Sequence, residues 1–551
     1  MAVLPHSYEF RCGPGLITVD GSGMITGARH RSRPDASYLV EVGRVSAELA
    51  GEPVRWRQIG CQADSDEVEA VWEAESRLRL AGRHTFAAGW GMRLALTNLG
   101  EAAMTLDQVR VGLVGADDCA AWGLATGAEA AYSLHPSTGE GPLLGGLLKL
   151  GSVRDIGPAG ALLGRIELAP GGRYILVWQW DWYPSARAFG AGRHPGVPSS
   201  CYVLAGQSAK IVAGSDVALL VPQGGLQVEQ EGDVADLIPT EPGDHPVELR
   251  SALGLVSYRL HAAPGTADLL AELAARLLAG ERTPAGVVRI DDASAGLVLQ
   301  HGLAAGLDNP DEAADALDRL TTRLRGTAGL DPLQVVYLCG EAIRVGEAEL
   351  IEAAAASLGA VPAPEPGLGL AAVRLRVGSL VLGLDVRPVL DHLRRLMLAL
   401  AESAGSRPEP SSRDQRLTGS DALRADLGLL ELLAVLAPSK QRSADLGAMA
   451  TVTARLGTWL GAGLKGQAVR PLGLARLAQL VAALELLPEQ LESSFRRRWP
   501  CPPSELARRA RAELLCRLSK DLLVDAATLD EPSTGDGWLA AGWLAVAQPP
   551  L

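Results

Sequence analysis

The chain has 551 residues, of which 47% are hydrophobic and 21% are charged. These are the proportions of a folded globular protein, so extensive disorder is excluded, and the length exceeds one ordinary domain of about 150 residues. The 64 acidic residues outnumber the 51 basic ones and give a net charge of -13, which on average repels a nucleic-acid backbone.

The aromatic residues divide the chain into two parts near residue 262. Seventeen of the 23 aromatic residues precede this point. Aromatic enrichment favours strands, whereas the remainder, rich in Ala and Leu, favours helices. The sequence therefore predicts a β-sandwich domain over 1–262 and a helical domain over 263–551.

Short strands and turns follow one another in the first part. Leu16–Val19 and Met24–Thr26 flank Asp20-Gly21-Ser22-Gly23, whose composition suits a hairpin turn. Apolar and polar residues alternate from Val68 to Leu80, which is typical of a strand with one face in solvent. Met92–Thr97 and Val109–Val114 flank a second turn-like stretch at 98–101. Strands without intervening helices indicate an antiparallel sandwich.

Three tryptophans occupy alternate positions in segment 174–184. On a strand, successive side chains point to opposite faces, so one face holds Trp178, Trp180 and Trp182 and the other holds Gln179, Asp181 and Tyr183. The indoles suit either a platform for sugar rings or the interior of the sandwich. We take Trp180, Trp182 and Tyr183 as candidate substrate-binding residues and Asp181 as a candidate catalytic residue.

The next segment, 185–200, is rich in Gly and Pro and carries Arg187, Arg193 and His194. A loop with guanidinium donors and an imidazole is able to reach the helical part and close over a ligand. We take these three residues as candidate substrate-binding residues. The alternative is an ordinary surface loop whose arginines pair with nearby acids.

Helix-capping residues mark the second part. Asn309-Pro310 and Asp331-Pro332 each combine a capping side chain with a proline in the first turn, and Gly346 and Gly359 end two successive helices. Further helices are predicted over 266–279, 292–305, 310–324, 367–382, 386–403, 419–436, 443–464, 472–487, 503–517 and 536–547. Without a fixed repeat length, about a dozen helices favour an α/α toroid, with a flexible excursion at 404–418.

Carboxylates of the helical part are the candidate acids and bases. Asp292 precedes a helix that carries His301, Glu341 lies in a mostly apolar hairpin, and Asp385 lies near a further acid and imidazole at 391–392. A third acidic group comprises Asp421, Asp426 and Glu431. Each also fits a plainer role, as a helix cap or on an exposed helix face. The sequence does not single out one pair.

The order of the parts resembles carbohydrate-active enzymes that combine a sandwich with an α/α toroid: certain glycoside hydrolases, glycoside phosphorylases and polysaccharide lyases. The segment Leu94–Glu101, followed by Val109–Val114, is similar to sandwich strands of such proteins. The resemblance concerns architecture and matches no catalytic motif. It implies that the toroid supplies the acid.

The first hypothesis is a cytoplasmic glycoside hydrolase that acts on a carbohydrate or another small molecule. Two carboxyl groups about 5–10 Å apart perform the reaction in such enzymes, without a cofactor or metal. Asp181, Asp292, Glu341 and Asp385 are the candidates. We expect neither nucleic acid nor membrane as a partner, because both parts hold more acidic than basic residues and no stretch of about 18 apolar residues is free of charge. The amino terminus lacks a secretory signal. The literal G-x-G-x-x-G at 461–466 follows a helical pattern rather than a strand, so a dinucleotide site is not expected.

Two alternatives stay open. A non-catalytic binding or scaffold protein with a degenerate site fits the aromatic-poor helices, and it would act through a protein partner or as a homo-oligomer. A toroid enzyme for isoprenoid substrates is disfavoured, since no Asp-rich diphosphate-binding motif is visible.

Overall fold

The computed structural model describes residues 7–87, 89–139, 141–190, 194, 196–212, 218–220, 224–251, 254–280, 282–283, 286–287, 292–327, 329–404, 419–436, 443–487, 502–523 and 536–547. Antiparallel sheets form the first part and a ring of helices forms the second, which confirms the predicted fold class.

Sixteen strands build a large sandwich. They are β1 (Ser7–Cys12), β2 (Gly15–Asp20), β3 (Ile25–His30), β4 (Leu39–Leu49), β5 (Glu52–Pro53), β6 (Arg57–Ala63), β7 (Glu67–Glu73), β8 (Leu78–Thr85), β9 (Trp90–Asn98), β10 (Met104–Gly115), β11 (Cys119–Ala125), β12 (Ala130–Pro136), β13 (Leu143–Leu150), β14 (Asp155–Gly157), β15 (Gly160–Leu168) and β16 (Arg173–Tyr183). One sheet, called the facing sheet below, has the order β1-β2-β3-β4-β10-β15-β14, with β5 paired to β4. The other sheet, called the cleft sheet below, contains β11-β12-β13-β16-β9-β8-β7-β6.

The predicted hairpin between β2 and β3 is present. The carboxylate of Asp20 accepts hydrogen bonds from the backbone N–H groups of Ser22 and Met24. The predicted strand from Val68 to Leu80 is instead two strands, β7 and β8. Arg77 adopts φ +61° in the turn between them, a conformation that apolar and polar alternation does not reveal.

The stretch at 98–101 joins the two sheets of the sandwich. β9 belongs to the cleft sheet and β10 to the facing sheet, so their connection crosses from one layer to the other. The buried side chain of Asn98 fixes this crossing, because its amide donates to the carbonyl oxygens of Ala102 and Leu168 while its oxygen accepts from Gly100 N–H.

A second, smaller sandwich follows within the first part. Its strands are β17 (Tyr202–Leu204), β18 (Ala209–Val212), β19 (Ala218–Leu220), β20 (Leu226–Glu231), β21 (Val234–Pro239), β22 (Gly243–Ser251) and β23 (Gly254–Ala263). They form the sheets β17-β23-β22-β19 and β18-β21-β20, and the β17–β23 pair is parallel. Buried side chains such as Ile211, Leu237 and Leu260 belong to a hydrophobic core separate from that of the large sandwich.

The helices agree closely with the predicted ranges. They are α1 (Ala186–Gly190), α2 (Thr266–Ala279), α3 (Ala293–Ala304), α4 (Pro310–Arg325), α5 (Pro332–Val345), α6 (Ala348–Gly359), α7 (Leu368–Leu382), α8 (Arg387–Ala404), α9 (Gly419–Leu436), α10 (Ser443–Trp459), α11 (Leu474–Glu485), α12 (Pro503–Leu523) and α13 (Gly537–Ala547). Short strands β24 (Arg282–Thr283), β25 (Gly286–Val287) and β26 (Gln467–Ala468) lie among them. Except for Ala404, the predicted excursion at 404–418 lies outside the described residues.

Alternate helices close into a ring. α3, α5, α7, α9, α11 and α13 pack in that order, and α13 returns to α3. Buried apolar side chains of these helices belong to one hydrophobic core. Trp543 of α13 reaches the start of α7, where a Cβ on Gly367 would lie 2.1 Å from the indole. None of the helices in the described ranges is long and apolar enough to span a membrane.

The two parts are joined by backbone pairing as well as by side chains. β26, from the connection between α10 and α11, pairs with β11 and completes the edge of the cleft sheet. Arg470 pairs with Asp117 nearby, and Lys520 of α12 pairs with Asp244 of β22. The boundary near residue 262 is therefore a boundary in the chain but not in the cleft sheet.

Candidate active site

A small cavity lies where the cleft sheet meets the helical part. Its lining comes from β11 and β12, from the end of α1 and the residues after it, and from the connection between α10 and α11: Trp122, Leu124, Ala131, Ser133, Phe189, Gly190, His194, Leu464 and Lys465. The cavity admits the centres of water molecules over about 20 Å³. A space of that size holds about one water molecule.

His194 is held against Glu129 at the edge of this cavity. Its Nδ1 lies 2.5 Å from Glu129 Oε2, and the two side chains are only 14% and 19% exposed. Its Nε2 is buried and has no hydrogen-bond partner among the described residues. In the neutral imidazole, donation from Nδ1–H to the carboxylate leaves the lone pair on Nε2, so this residue of the cavity lining is able to act as a base.

The backbone of His194 is in the left-handed region, with φ +47°. A residue with a Cβ rarely adopts this conformation, and such residues concentrate at functional sites. Two hydrogen bonds to the carbonyl oxygen of His194 stabilise it here: Lys465 Nζ donates at 2.7 Å and Val197 N–H donates at 3.0 Å.

Lys465 brings a positive charge to the same cavity. Burial lowers the pKa of its ammonium group, and the negative charge of Glu129 opposes that effect. An ammonium group has three N–H donors, of which one serves the His194 carbonyl. The remaining donors are available to an anionic group that enters the cavity.

A glycine-rich connection positions Lys465. Gly461, Gly463 and Gly466 have φ values of +59°, +80° and +101°, so the connection uses conformations that favour glycine. A Cβ on Gly466 would lie 2.2 Å from the carbonyl oxygen of Gly123 on β11. Trp122 Nε1 donates to the Lys465 carbonyl at 3.1 Å. The G-x-G-x-x-G stretch thus docks the helical part on the cleft sheet.

The sequence-based candidates on β16 lie on the predicted faces of the strand. Trp178 and Trp180 are fully buried between the sheets, and the ring of Trp180 stacks on Trp90 with 4.8 Å between centroids. Trp182 also faces the core and packs edge-on against Tyr38. This burial contradicts a role for Trp180 in substrate binding, because neither face of its indole is open to a ligand.

The opposite face of β16 points away from the sandwich core. Asp181 is exposed, and its carboxylate accepts a hydrogen bond from the adjacent Trp182 N–H. Tyr183 packs edge-on against Phe189, with 5.0 Å between the ring centroids. Arg187 is exposed on α1, and Arg193 lies outside the described residues. Of the loop candidates, the structure brings His194 to the cavity.

The three toroid carboxylates lie apart from the cavity and have structural partners. Asp292 caps α3 by accepting a hydrogen bond from Ser294 N–H. Glu341 is fully buried, where it pairs with Gln300 at 2.7 Å and with Arg344 at 2.6 Å. Asp385 is exposed, and its partner, an arginine two residues later, lowers the pKa of the carboxyl to about 2. The structure does not bring these carboxylates together.

Glu431 is the unusual acid of the helical ring. It is fully buried on α9, and Oε2 accepts hydrogen bonds from Gly367 and Gly369 N–H at the start of α7, whereas Oε1 has no partner among the described residues. Burial raises the pKa of this carboxyl to about 8, although the backbone N–H groups of Gly367, Gly369 and Leu370 oppose the effect. Burial therefore favours the protonated form of Glu431.

The sequence did not indicate Glu129 or Lys465 as site residues. Glu129 lies in the connection between β11 and β12, without a motif around it. The sequence around Lys465 contains three glycines, which indicate a tight connection. They do not indicate what that connection contacts.

Comparison with known proteins gives a fold but no family. No protein-family model matches the chain, and no curated protein matches it. A solved polysaccharide lyase superposes with a TM-score of 0.72 at 13% sequence identity, over 97% of this chain and 99% of that chain. The protein therefore has the sandwich-and-toroid fold of that enzyme throughout. A TPR-domain protein from Parabacteroides distasonis, at 11% identity over 87% of this chain and 82% of that chain, has a TM-score of 0.19 and carries no argument.

Proposed function

We propose that the protein is a carbohydrate-active enzyme of the lyase type, which cleaves a polysaccharide next to a uronic acid by β-elimination. The observation that carries the proposal is the buried, unpartnered Nε2 of His194, a residue that Glu129 holds and that lines the cavity together with Lys465. The fold of a polysaccharide lyase over nearly the whole chain supports the same class of reaction.

The proposed reaction begins with proton abstraction. Nε2 of His194 takes the proton from the carbon that bears the uronate carboxylate, and Glu129 stabilises the imidazolium that forms. Negative charge then develops on the substrate carboxylate, where the ammonium of Lys465 stabilises it. The electron pair forms a double bond to the neighbouring ring carbon as the glycosidic oxygen leaves and takes a proton from water.

Elimination accounts for these residues better than hydrolysis does. A glycoside hydrolase needs two carboxyl groups about 5–10 Å apart on either side of the bond. Glu129 contacts His194 of the cavity lining and is already bonded to that imidazole. Of the four candidate acids, Asp292 caps a helix and Glu341 and Asp385 form ion pairs. The fourth, Asp181, is exposed and accepts a hydrogen bond from Trp182 N–H.

The products distinguish the candidate functions. We expect the purified protein to release an unsaturated uronate, detected by its ultraviolet absorbance, from at least one member of a panel of acidic polysaccharides. His194→Ala abolishes this release and Lys465→Met reduces it, whereas His30→Ala, a change on β3 of the facing sheet, leaves it unchanged.

Other outcomes would identify another function. Reducing ends that appear without the new absorbance, and that carry oxygen from labelled water, would mean hydrolysis. No cleavage of any polysaccharide, together with binding of one of them, would mean a non-catalytic module. Unchanged elimination by His194→Ala would refute the assignment of the base.

A further inference from the structure

The cavity beside His194 is too small for a sugar. It admits water centres over about 20 Å³, which corresponds to about one water molecule. Ligand pockets usually measure about 300–1,000 Å³. A saccharide therefore reaches Nε2 of His194 only after one wall of the cavity has moved.

Two of the three walls are fixed by hydrogen bonds. Trp122, Leu124, Ala131 and Ser133 lie on β11 and β12, which are paired with each other along their whole length. Leu464 and Lys465 are held because Arg509 donates to the Leu464 carbonyl and Trp122 donates to the Lys465 carbonyl, and β26 continues the sheet directly after them.

The third wall is the five-residue helix α1, which ends at Gly190. It packs on β13 and β16 through the buried side chain of Phe189. A helix this short has little stability of its own, since most of its N–H and C=O groups have no partner within the helix. Pro184 and Ser185 precede it on the chain, so its connection to β16 is a turn rather than a strand.

We propose that α1 is a lid over the active site and that Phe189 is the residue that keeps it shut. The proposal rests on the proposed function, in which a substrate must touch His194. In the closed position the Phe189 ring packs against Tyr183 and lines the cavity, and it keeps bulk water from the base. When the lid opens, the cavity joins the space outside the cleft sheet and admits a sugar.

Gly145 on β13 provides an independent way to disturb the lid. A Cβ at this position would lie 2.4 Å from Phe189 Cε2 and 2.9 Å from Tyr183 Cε2. Gly145→Ala therefore displaces the Phe189 ring from its packed position without removing the side chain. Phe189→Leu is the matched control, because it keeps an apolar side chain of similar size over the cavity.

The experiment measures how accessible His194 is, and it does not require activity. The full-length protein is treated with diethyl pyrocarbonate, and the modification rate of each histidine is followed by mass spectrometry. We expect His194 to react slowly in the unmodified protein and roughly tenfold or more faster in Phe189→Ala and Gly145→Ala, because a tenfold rate change needs only a small shift in the opening equilibrium. His30 is the internal reference and reacts at one rate in all variants.

Each result decides the proposal. The proposal that α1 is a lid would be refuted if His194 reacted rapidly in the protein without substitutions. Equal rates in that protein and in the three variants would also refute it. An increase in Phe189→Ala that Phe189→Leu shares would show general loosening and would also overturn it. If the rates follow the expectation while no polysaccharide is cleaved, the lid stands and the proposed function fails.

Discussion

The buried carboxyl of Glu431 is expected to make the unfolding free energy of the protein depend on pH. Its carboxyl is fully buried in the helical ring, and its pKa is raised from 4.5 to about 8. In the unfolded chain the carboxyl ionises near its ordinary value. Between these two pH values the unfolded state therefore releases a proton that the folded state keeps, and unfolding becomes easier as the pH rises.

The sign and size of the change in unfolding free energy follow from the pKa values of Glu431 in the folded and the unfolded protein. The stability that this group contributes is complete below about pH 4.5 and is lost as the pH rises to about 8. At about 1.4 kcal/mol per pH unit, the total change is about 5 kcal/mol. Glu431→Gln removes the titration, and its amide oxygen still accepts hydrogen bonds from Gly367 and Gly369 N–H.

The test is urea unfolding, followed by tryptophan fluorescence, from about pH 5 to pH 9. This is roughly the range in which the carboxyl titrates. Trp543 lies against Gly367, so its emission reports on this region. We expect the unfolding free energy of Glu431→Gln to rise relative to the unmodified protein by several kcal/mol over that range. Asp385→Asn is the control and gives a constant difference, because the pKa of this carboxyl is lowered to about 2 and the group stays ionised in the folded and the unfolded protein throughout that pH range. If the unfolding free energies of Glu431→Gln and of the unmodified protein changed with pH in parallel, the raised pKa of the buried carboxyl would be refuted.

Two further changes test the candidate site and the junction that builds it. Glu129→Gln removes the charged partner of His194, and we expect kcat/KM for elimination to fall roughly 10- to 100-fold, since the imidazolium that forms during proton abstraction loses a charge-assisted hydrogen bond of about 1.5–3 kcal/mol. An unchanged rate would contradict the role of Glu129. Gly466→Ala places a methyl group 2.2 Å from the Gly123 carbonyl oxygen, so urea titration should show a loss of roughly 2–3 kcal/mol. Gly171→Ala, also at positive φ but with open space around it, should cost about 1 kcal/mol, and equal losses would refute the steric argument.

The helices were predictable because their signals are local. The predicted ranges 266–279 and 419–436 coincide with α2 and α9. The N-cap predicted at Asp331 is present, with its carboxylate accepting from Gln334 N–H, and Gly346 ends α5 in the left-handed conformation. Capping, proline and glycine act within one helical turn, so a single sequence carries the information.

The alternation of apolar and polar residues predicted which side chains share a face of a strand, but not what packs against that face. It assigned the indoles of β16 to one side and Asp181 to the other, as the structure has them. The same alternation does not distinguish the interior of a sandwich from a surface that binds sugar. Nor does it reveal that the chain changes sheets after Asn98, because both sheets present the same period of two.

The candidate site depended on contacts between distant segments. His194 meets Glu129 across 65 positions and Lys465 across 271 positions. The sequence by itself determined that sheets precede helices, where most helices begin and end, and that residues 185–200 carry an imidazole on a loop. Only the tertiary structure decided that this imidazole faces a carboxylate and an ammonium group, because such contacts form when separate cores pack and leave no periodic trace in either segment.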